Sequence, residues 1–227
     1  MRLPNTVADG ARAQTLDRGL AALELVALAE APMAVDDVAA DLGLHRSIVY
    51  RLLRTLEDRD LVERDAHGRY GAGLHLAVLA RHAHATLRSA AADELSRLAA
   101  RLAMTAFLVV RRGDEAITID VVEPRATDVH LVYRPGTRHP VDRGAPGLAL
   151  LAAEPATVGE RTDVTRARRR GWASSRSEVL PGMASIAAPV GTGAALAVLW
   201  LAAQTVDTEQ IAAAVTASAA AVALRVG

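Results

Sequence analysis

Between Thr15 and Leu56 the apolar residues recur every three or four positions and are interrupted at Pro32 and Gly43, which predicts three short amphipathic helices. Leu16, Leu20, Leu23 and Ala27 mark the apolar face of the first, and Pro32 stops it. Val38, Ala39 and Leu42 mark the second, over about Asp36 to Leu42, with an aspartate near its start and Gly43 at a tight turn after it. Ile48, Leu52, Leu53 and Leu56 form the stripe of the third, from about His45 to Arg59, braced by the second helix. The period then shortens. LVERD (Leu61 to Asp65) and YGAG are strand-like arms around an AHGR turn.

A long helical stretch follows from about Leu74 to Met104, with a break expected near Ser89. From Thr105 the pattern becomes that of strands: AFLVVR, EAITIDVVE and DVHLVYR, with RGDE as a hairpin turn between the first two. Helices are predicted over Gly144 to Glu154 and Asp163 to Arg170, the latter stopped by Gly171. MASIAAPV and ALAVLWLAA make a strand pair around Gly191 to Gly193. An alanine-rich helix from about Asp207 to Leu224 closes the chain, capped by Asp207 or Thr208. This grammar is α+β, an antiparallel sheet with helices over its faces. The expected division is a flexible tail over 1–13, a helical domain with a wing over 14–74, a linker helix over 75–88, and a sheet domain over 89–227.

Composition narrows the function. The 227 residues are 51% hydrophobic, largely alanine, and 3% aromatic, with a formal net charge of zero. There is no cysteine, which removes disulfides and thiol nucleophiles and makes structural zinc improbable. The longest apolar run, Ala194 to Ala203, is far short of a membrane span, and the first residues lack a signal-peptide core. The default is a cytoplasmic protein without membrane contact.

Three helices with a sharp corner before the last, followed by a two-stranded wing, is the winged helix-turn-helix plan. Such a fold presents short polar or basic side chains near the start of its third helix to base edges. Here those are His45, Arg46, Ser47, Tyr50 and Arg51, with Arg54 and Thr55 further along. Arg46 suits a bidentate guanine contact, while the later residues suit phosphates. Gly68 and Arg69 at the wing tip suit the minor groove. Residues 1–75 hold 9 arginines against 12 acids, so this domain has to keep its charges apart in space. Arg46, Arg51 and Arg54 precede the third helix's first acid, and Asp36, Asp37 and Asp41 sit on the second.

The stretch GLHRSIVYRLLRTLEDRDLVERDAHGRYGAG resembles the recognition helix and wing of the IclR family of bacterial transcriptional regulators. The resemblance continues in RPGTRHPVDRGAPGLALLA and RRRGWASSRSEVLPGMASIAAPV, and covers about residues 14–225. It implies a winged helix-turn-helix domain, a linker helix, and a GAF/PAS-like effector-binding domain. It further implies dimers or tetramers on palindromic double-stranded DNA, acting as a repressor or an activator, and a small organic acid or aromatic effector. By the same resemblance the pocket lies between the sheet and the helix starting near Ala145, with Ala145, Pro146, Ser175, Met183, Ser185, Ala197 and Leu199 at effector positions. Several of these depart from the pattern of the family's acid binders. Pro146 has no N–H to offer an anion; Ser185 stands where such a binder carries cysteine, Ala197 and Leu199 where it carries serine, and Ser175 at an acidic position. Glu178 and Gly182 keep the pattern, and the segment between Ala152 and Gly171 is short for the family. An apolar or aromatic effector, a small polar one, and none at all are all open on this reading.

Other chemistry is thin. His130, His139, Asp142 and Ser185 can be drawn as a hydrolase triad, but no G-x-S-x-G elbow is present. His139 and Asp142 are too few for a metal, the GTG turn lacks the Lys-Ser/Thr of a phosphate loop, and Arg166 to Arg170 suits a solvated face or an interface. No catalytic residue, cofactor or metal is expected. The rival to a DNA-binding regulator is a small-molecule-binding or protein-interaction module without specific DNA affinity.

Overall fold

The computed structural model describes residues 13–82, 84–124 and 133–226, and these form two compact units that meet in sequence at residues 83 and 84. Most of the predicted N-terminal tail lies outside the described residues.

The first unit runs α1 (Gln14–Leu28), α2 (Val35–Leu42), α3 (Arg46–Glu57), β1 (Val62–Arg64), β2 (Tyr70–Ala72) and α4 (His75–His82). Its core is Ala22, Val26, Val38, Val49, Leu53, Val62 and Tyr70, all essentially without solvent contact. Two faces are rotated from the expected ones. On α1 the inward residues are Ala22 and Val26, while Leu16 and Leu20 are 62% and 49% exposed. α1 packs on α3 there, where a Cβ on Gly19 would stand in ordinary contact with Leu52 at 3.7 Å. On α3 the stripe is Val49, Leu53 and Leu56, with Ile48 outside.

The corner between α2 and α3 depends on Gly43, whose φ of 63° is the left-handed value that glycine adopts at little cost. Its N–H donates to Ala40 and that of Leu44 to Ala39, closing the last carbonyls of α2. The N–H groups of Met33 and Tyr70 donate to each other's carbonyls at 2.8 Å, tying the loop after α1 to the wing. Where the wing returns, a Cβ on Gly73 would sit 2.2 Å from the Asp60 carbonyl oxygen, so no larger residue fits there.

The second unit comprises α5 (Ala85–Leu102), β3 (Thr105–Arg112), β4 (Glu115–Val122), β5 (Arg138–Pro140), α6 (Gly144–Ala152), α7 (Thr162–Arg170), β6 (Ala173–Arg176), β7 (Met183–Val190), β8 (Ala194–Leu201) and α8 (Thr208–Val226). One antiparallel sheet has the order β5-β4-β3-β8-β7-β6. Period-2 alternation sorts its side chains. Leu108, Ile186, Leu196 and Trp200 pack under α5 and α8, whereas Phe107, Val109, Ala187 and Leu199 pack under α6. Asp207 caps α8, its Oδ1 accepting from the N–H groups of Glu209 and Gln210.

One expectation needs correction, one lies mostly outside the described residues, and one helix bears on the membrane reading. The helical break is not near Ser89: the preceding helix ends at His82 and the next begins at Ala85; no Gly or Pro marks the change, only the weak helix formers His82, His84 and Thr86. The strand expected at DVHLVYR falls mostly on 125–132, outside the described residues, and its last two residues, Tyr133 and Arg134, are not in a strand. Among the described residues the sheet's edges are the short β5 and β6, too brief to leave a periodic signal. Finally, α8 is long and apolar enough to cross a membrane by length and composition, although Thr216, Ser218 and Arg225 keep its uninterrupted apolar runs shorter than that of Ala194 to Ala203. Its Ile211, Val215, Ala219 and Val222 are buried against the sheet and α5, as in a core helix of a folded domain.

Candidate DNA interface and ligand pocket

α3 begins at His45, whose Nδ1 accepts from the Ser47 N–H at 3.3 Å and lies 2.8 Å from the Ser47 hydroxyl. At about 100° per residue, Arg46, Tyr50 and Arg54 form a row that flanks the buried Val49 and Leu53, and Ser47, Arg51 and Thr55 form the adjacent row on the side away from them. All six are exposed. Burying 49, 53 and 56 is what frees this double row.

The expected separation of charge does not hold on this face. Arg46 is ion-paired with Asp36 of α2, and both are largely exposed. Arg54 reaches Glu57 at 3.3 Å and Asp58 at 4.0 Å. The Thr55 hydroxyl donates to the Arg51 carbonyl one turn back. Arg51 has no ion pair among the described residues. At the wing, Asp65 organises the turn: its Oδ1 accepts from the N–H groups of Arg69 (2.8 Å) and His67 (2.9 Å). Those bonds, Arg69 first, hold its carboxyl below the ordinary value. Gly68 takes a φ of 78° at the tip, and the Arg69 guanidinium donates to the Pro32 carbonyl at 3.4 Å.

In the second unit a cavity opens between the sheet and the start of α6. It holds about 330 Å³ of empty space counting its mouth, of which about 30 Å³ admits the centre of a water molecule. Pro146, Ser175, Met183, Ser185 and Leu199 line it, five of the seven residues expected there. Ala145 and Ala197 do not: both are fully buried in the core between α6 and the sheet, and the Ala145 N–H donates to the Ser175 hydroxyl at 2.8 Å. The remaining walls include Phe107, Tyr133, His139, Glu178, Val179 and Leu180. Of these, His139 and Glu178 drew attention in the sequence for other reasons. Tyr133 and Phe107, whose rings are 4.6 Å apart, left no local signal.

The polar groups here are shaped by burial and pairing. Burial pushes the Tyr133 phenol up; the Thr118 hydroxyl donates to it at 3.2 Å. Burial likewise pushes the His139 imidazole down, against the pull of the Pro140 and Arg143 carbonyls, so the ring is neutral at pH 7. Glu178 is the exception: burial works against its charge, but Arg161 and the Gly144 N–H outweigh it and hold the carboxyl low. Arg161 grips both Glu178 oxygens at 3.1 and 3.3 Å and also reaches Asp163 and the Asp142 carbonyl. The short segment before α7 is thereby fastened to the rim. Three of the four arginines of α7 are engaged within this unit, Arg166 by Asp163, Arg168 by Glu160, and Arg170 over the Trp172 ring.

As for a hydrolase, the Ser185 hydroxyl donates to the Val198 carbonyl at 2.9 Å, and His130 lies outside the described residues. No group of three or more metal-ligating side chains occurs among the described residues.

Comparison with known proteins places both units. Residues 15–66 match the IclR helix-turn-helix domain, and residues 80–164 match the bacterial transcriptional regulator IclR C-terminal domain. The glycerol operon regulatory protein of Streptomyces griseus is 30% identical, over 78% of this chain and 78% of its own. The HTH-type transcriptional regulator BhcR of Paracoccus denitrificans is 29% identical over 80% of this chain and 74% of its own. Among solved structures, an IclR transcriptional regulator from Alicyclobacillus acidocaldarius aligns with a TM-score of 0.81 at 27% identity, over 95% of this chain and all of that one. An IclR homolog from Microbacterium hydrocarbonoxydans, complexed with 4-hydroxybenzoate, aligns with a TM-score of 0.80 at 20% identity, over 93% and 98%.

Proposed function

This chain belongs to the IclR family of helix-turn-helix transcriptional regulators, and from that premise we propose that it acts as a homo-oligomer whose paired α3 helices read a palindromic operator under control of a small molecule in the α6 cavity. The observation that carries the reading is the double row on α3. Six side chains able to bond bases or phosphates share one exposed side, over a core stripe that fixes their orientation. Arg46, Ser47 and Tyr50 contact base edges, Arg51 and Arg54 hold phosphates, and the wing lies along the adjacent backbone or minor groove. One short helix reads only a few base pairs, so specificity calls for two heads on one side of the duplex.

In the second unit, the apolar walls Phe107, Leu180, Met183 and Leu199 suit an effector with an apolar or aromatic body. Such a ligand shifts the relation of the two heads only by the difference in its affinity for the competent and incompetent arrangements. The experiment is capture of genomic DNA fragments by the full-length protein, followed by titration at rising salt. Specific fragments that dissociate steeply as salt increases support the regulator. Retention no better than bulk DNA supports the interaction-module rival.

A further inference from the structure

The start of α6 has no donor left for an anion. The Arg143 N–H donates to the Pro140 carbonyl at 3.1 Å, the Gly144 N–H to Glu178 Oε2 at 2.9 Å, and the Ala145 N–H to the Ser175 hydroxyl at 2.8 Å. Pro146 has none. The protein's own Glu178 thus sits where the positive end of a helix would draw a ligand carboxylate. Arg161, the cation at this rim, is committed to both oxygens of that same side chain. A second carboxylate would meet Glu178's charge in a half-buried setting and find no free donor on the helix.

The opposite need faces the cavity from His139, which is only 6% exposed. Its Nδ1 lies 3.0 Å from the Pro140 carbonyl, and a carbonyl only accepts, so the ring proton is there and Nε2 carries a lone pair. Nε2 is buried with no hydrogen-bond partner among the described residues. The ring edge stands beside the helix start, with Cε1 3.6 Å from where a Cβ on Gly144 would be. A buried acceptor left unpaired is an energetic liability that a ligand donor relieves. Nearby, Tyr133 accepts from Thr118 and so keeps its own proton to give, while Ser185 donates to Val198 and so keeps lone pairs.

Resting on the reading of this cavity as the effector site, we propose that it takes a neutral, hydroxyl-bearing ligand with an apolar body, donates through Tyr133, accepts the ligand's O–H at His139 Nε2, and rejects carboxylates. A hydroxyl is both donor and acceptor, so one such group can use the Tyr133 proton and the His139 Nε2 lone pair, whereas a carboxylate, which only accepts, leaves Nε2 unpaired and meets the Glu178 charge.

The test uses the full-length protein with benzyl alcohol and benzoate, probes of the same size, titrated by calorimetry and by the imidazole nitrogen signals of His139. Benzyl alcohol binds saturably, shifts the Nε2 signal toward its hydrogen-bonded position, and exceeds benzoate in affinity by tenfold or more. His139→Leu removes most of that advantage, His139→Gln, which keeps an acceptor, retains part of it, and Glu178→Gln admits benzoate. Benzoate binding as tightly as the alcohol to the unaltered protein, or benzyl alcohol leaving Nε2 unmoved, overturns the proposal. So does the failure of both probes to bind, and operator retention by the same preparation then leaves the DNA-binding reading intact. Saturable alcohol binding without operator retention sinks that reading instead and leaves this one standing.

Discussion

Asp36 and Arg46 form an exposed ion pair of the kind that contributes about 0–1 kcal/mol, so a guanine edge or a phosphate can displace the carboxylate at small cost. Asp36→Asn, which frees the arginine and removes a negative charge, is expected to tighten DNA binding several-fold at low salt. Arg46→Ala is expected to lose about 1–3 kcal/mol against operator DNA and much less against scrambled DNA, if Arg46 reads a base. Arg54→Ala should weaken both alike and flatten the salt slope by about one unit. Fluorescence anisotropy on the two duplexes separates these outcomes; equal, negligible effects in both arginine variants refute the assignment. Core positions make a sharper contrast. Val49→Ala, at a fully buried site, should cost about 2 kcal/mol in urea unfolding, whereas Ile48→Ala, at a site 38% exposed, should cost little.

At the scale of elements, α6 and α7 owe their placement to close approach and to charge. A Cβ on Gly147 would lie 2.2 Å from the Val141 carbonyl oxygen, so Gly147→Ala has to push α6 off its seat, with the cavity mouth. The Glu160 carboxyl is held down to about 2, chiefly by the hydrogen bond from Arg168, with Thr165 and the Thr157 N–H adding to it. A carboxyl depressed in the folded state contributes stability that is complete above its unfolded value of 4.5 and lost as pH falls toward 2. Thermal unfolding between pH 5 and 2 should therefore fall less steeply in Glu160→Gln than in the unaltered protein; parallel curves would show that the pair adds nothing. How much of these elements the sequence revealed follows from what fixes each. α2, the Gly43 corner, α3 and the β7–β8 pair were legible because period and breaker residues coincide there. The face of α1 was not, because leucine surrounds that helix and only packing on α3 selects Ala22 and Val26. His139 and Tyr133 reach the cavity through strand pairing and a long connection, and nothing beside them in sequence announces it.

For the molecule as a whole, affinity for DNA has to come from local arrangement, since the net charge is zero and two of the three arginines on α3 are paired with acids. Binding should therefore depend steeply on salt, yet more weakly than in a protein coated with basic residues. The three-helix-and-wing plan and its family were readable from the ordered motifs along the chain. The ligand's chemistry was not, because Glu178's capture of the α6 N-terminus exists only in three dimensions. The most direct measurement is a hydroxyl-radical footprint of the full-length protein on a captured genomic fragment. The account predicts two symmetry-related protected patches on one side of the duplex, about 10 base pairs or 34 Å apart, both lost in Arg51→Ala. Protection at one isolated patch, or none at salt concentrations where bulk DNA is released, would contradict it.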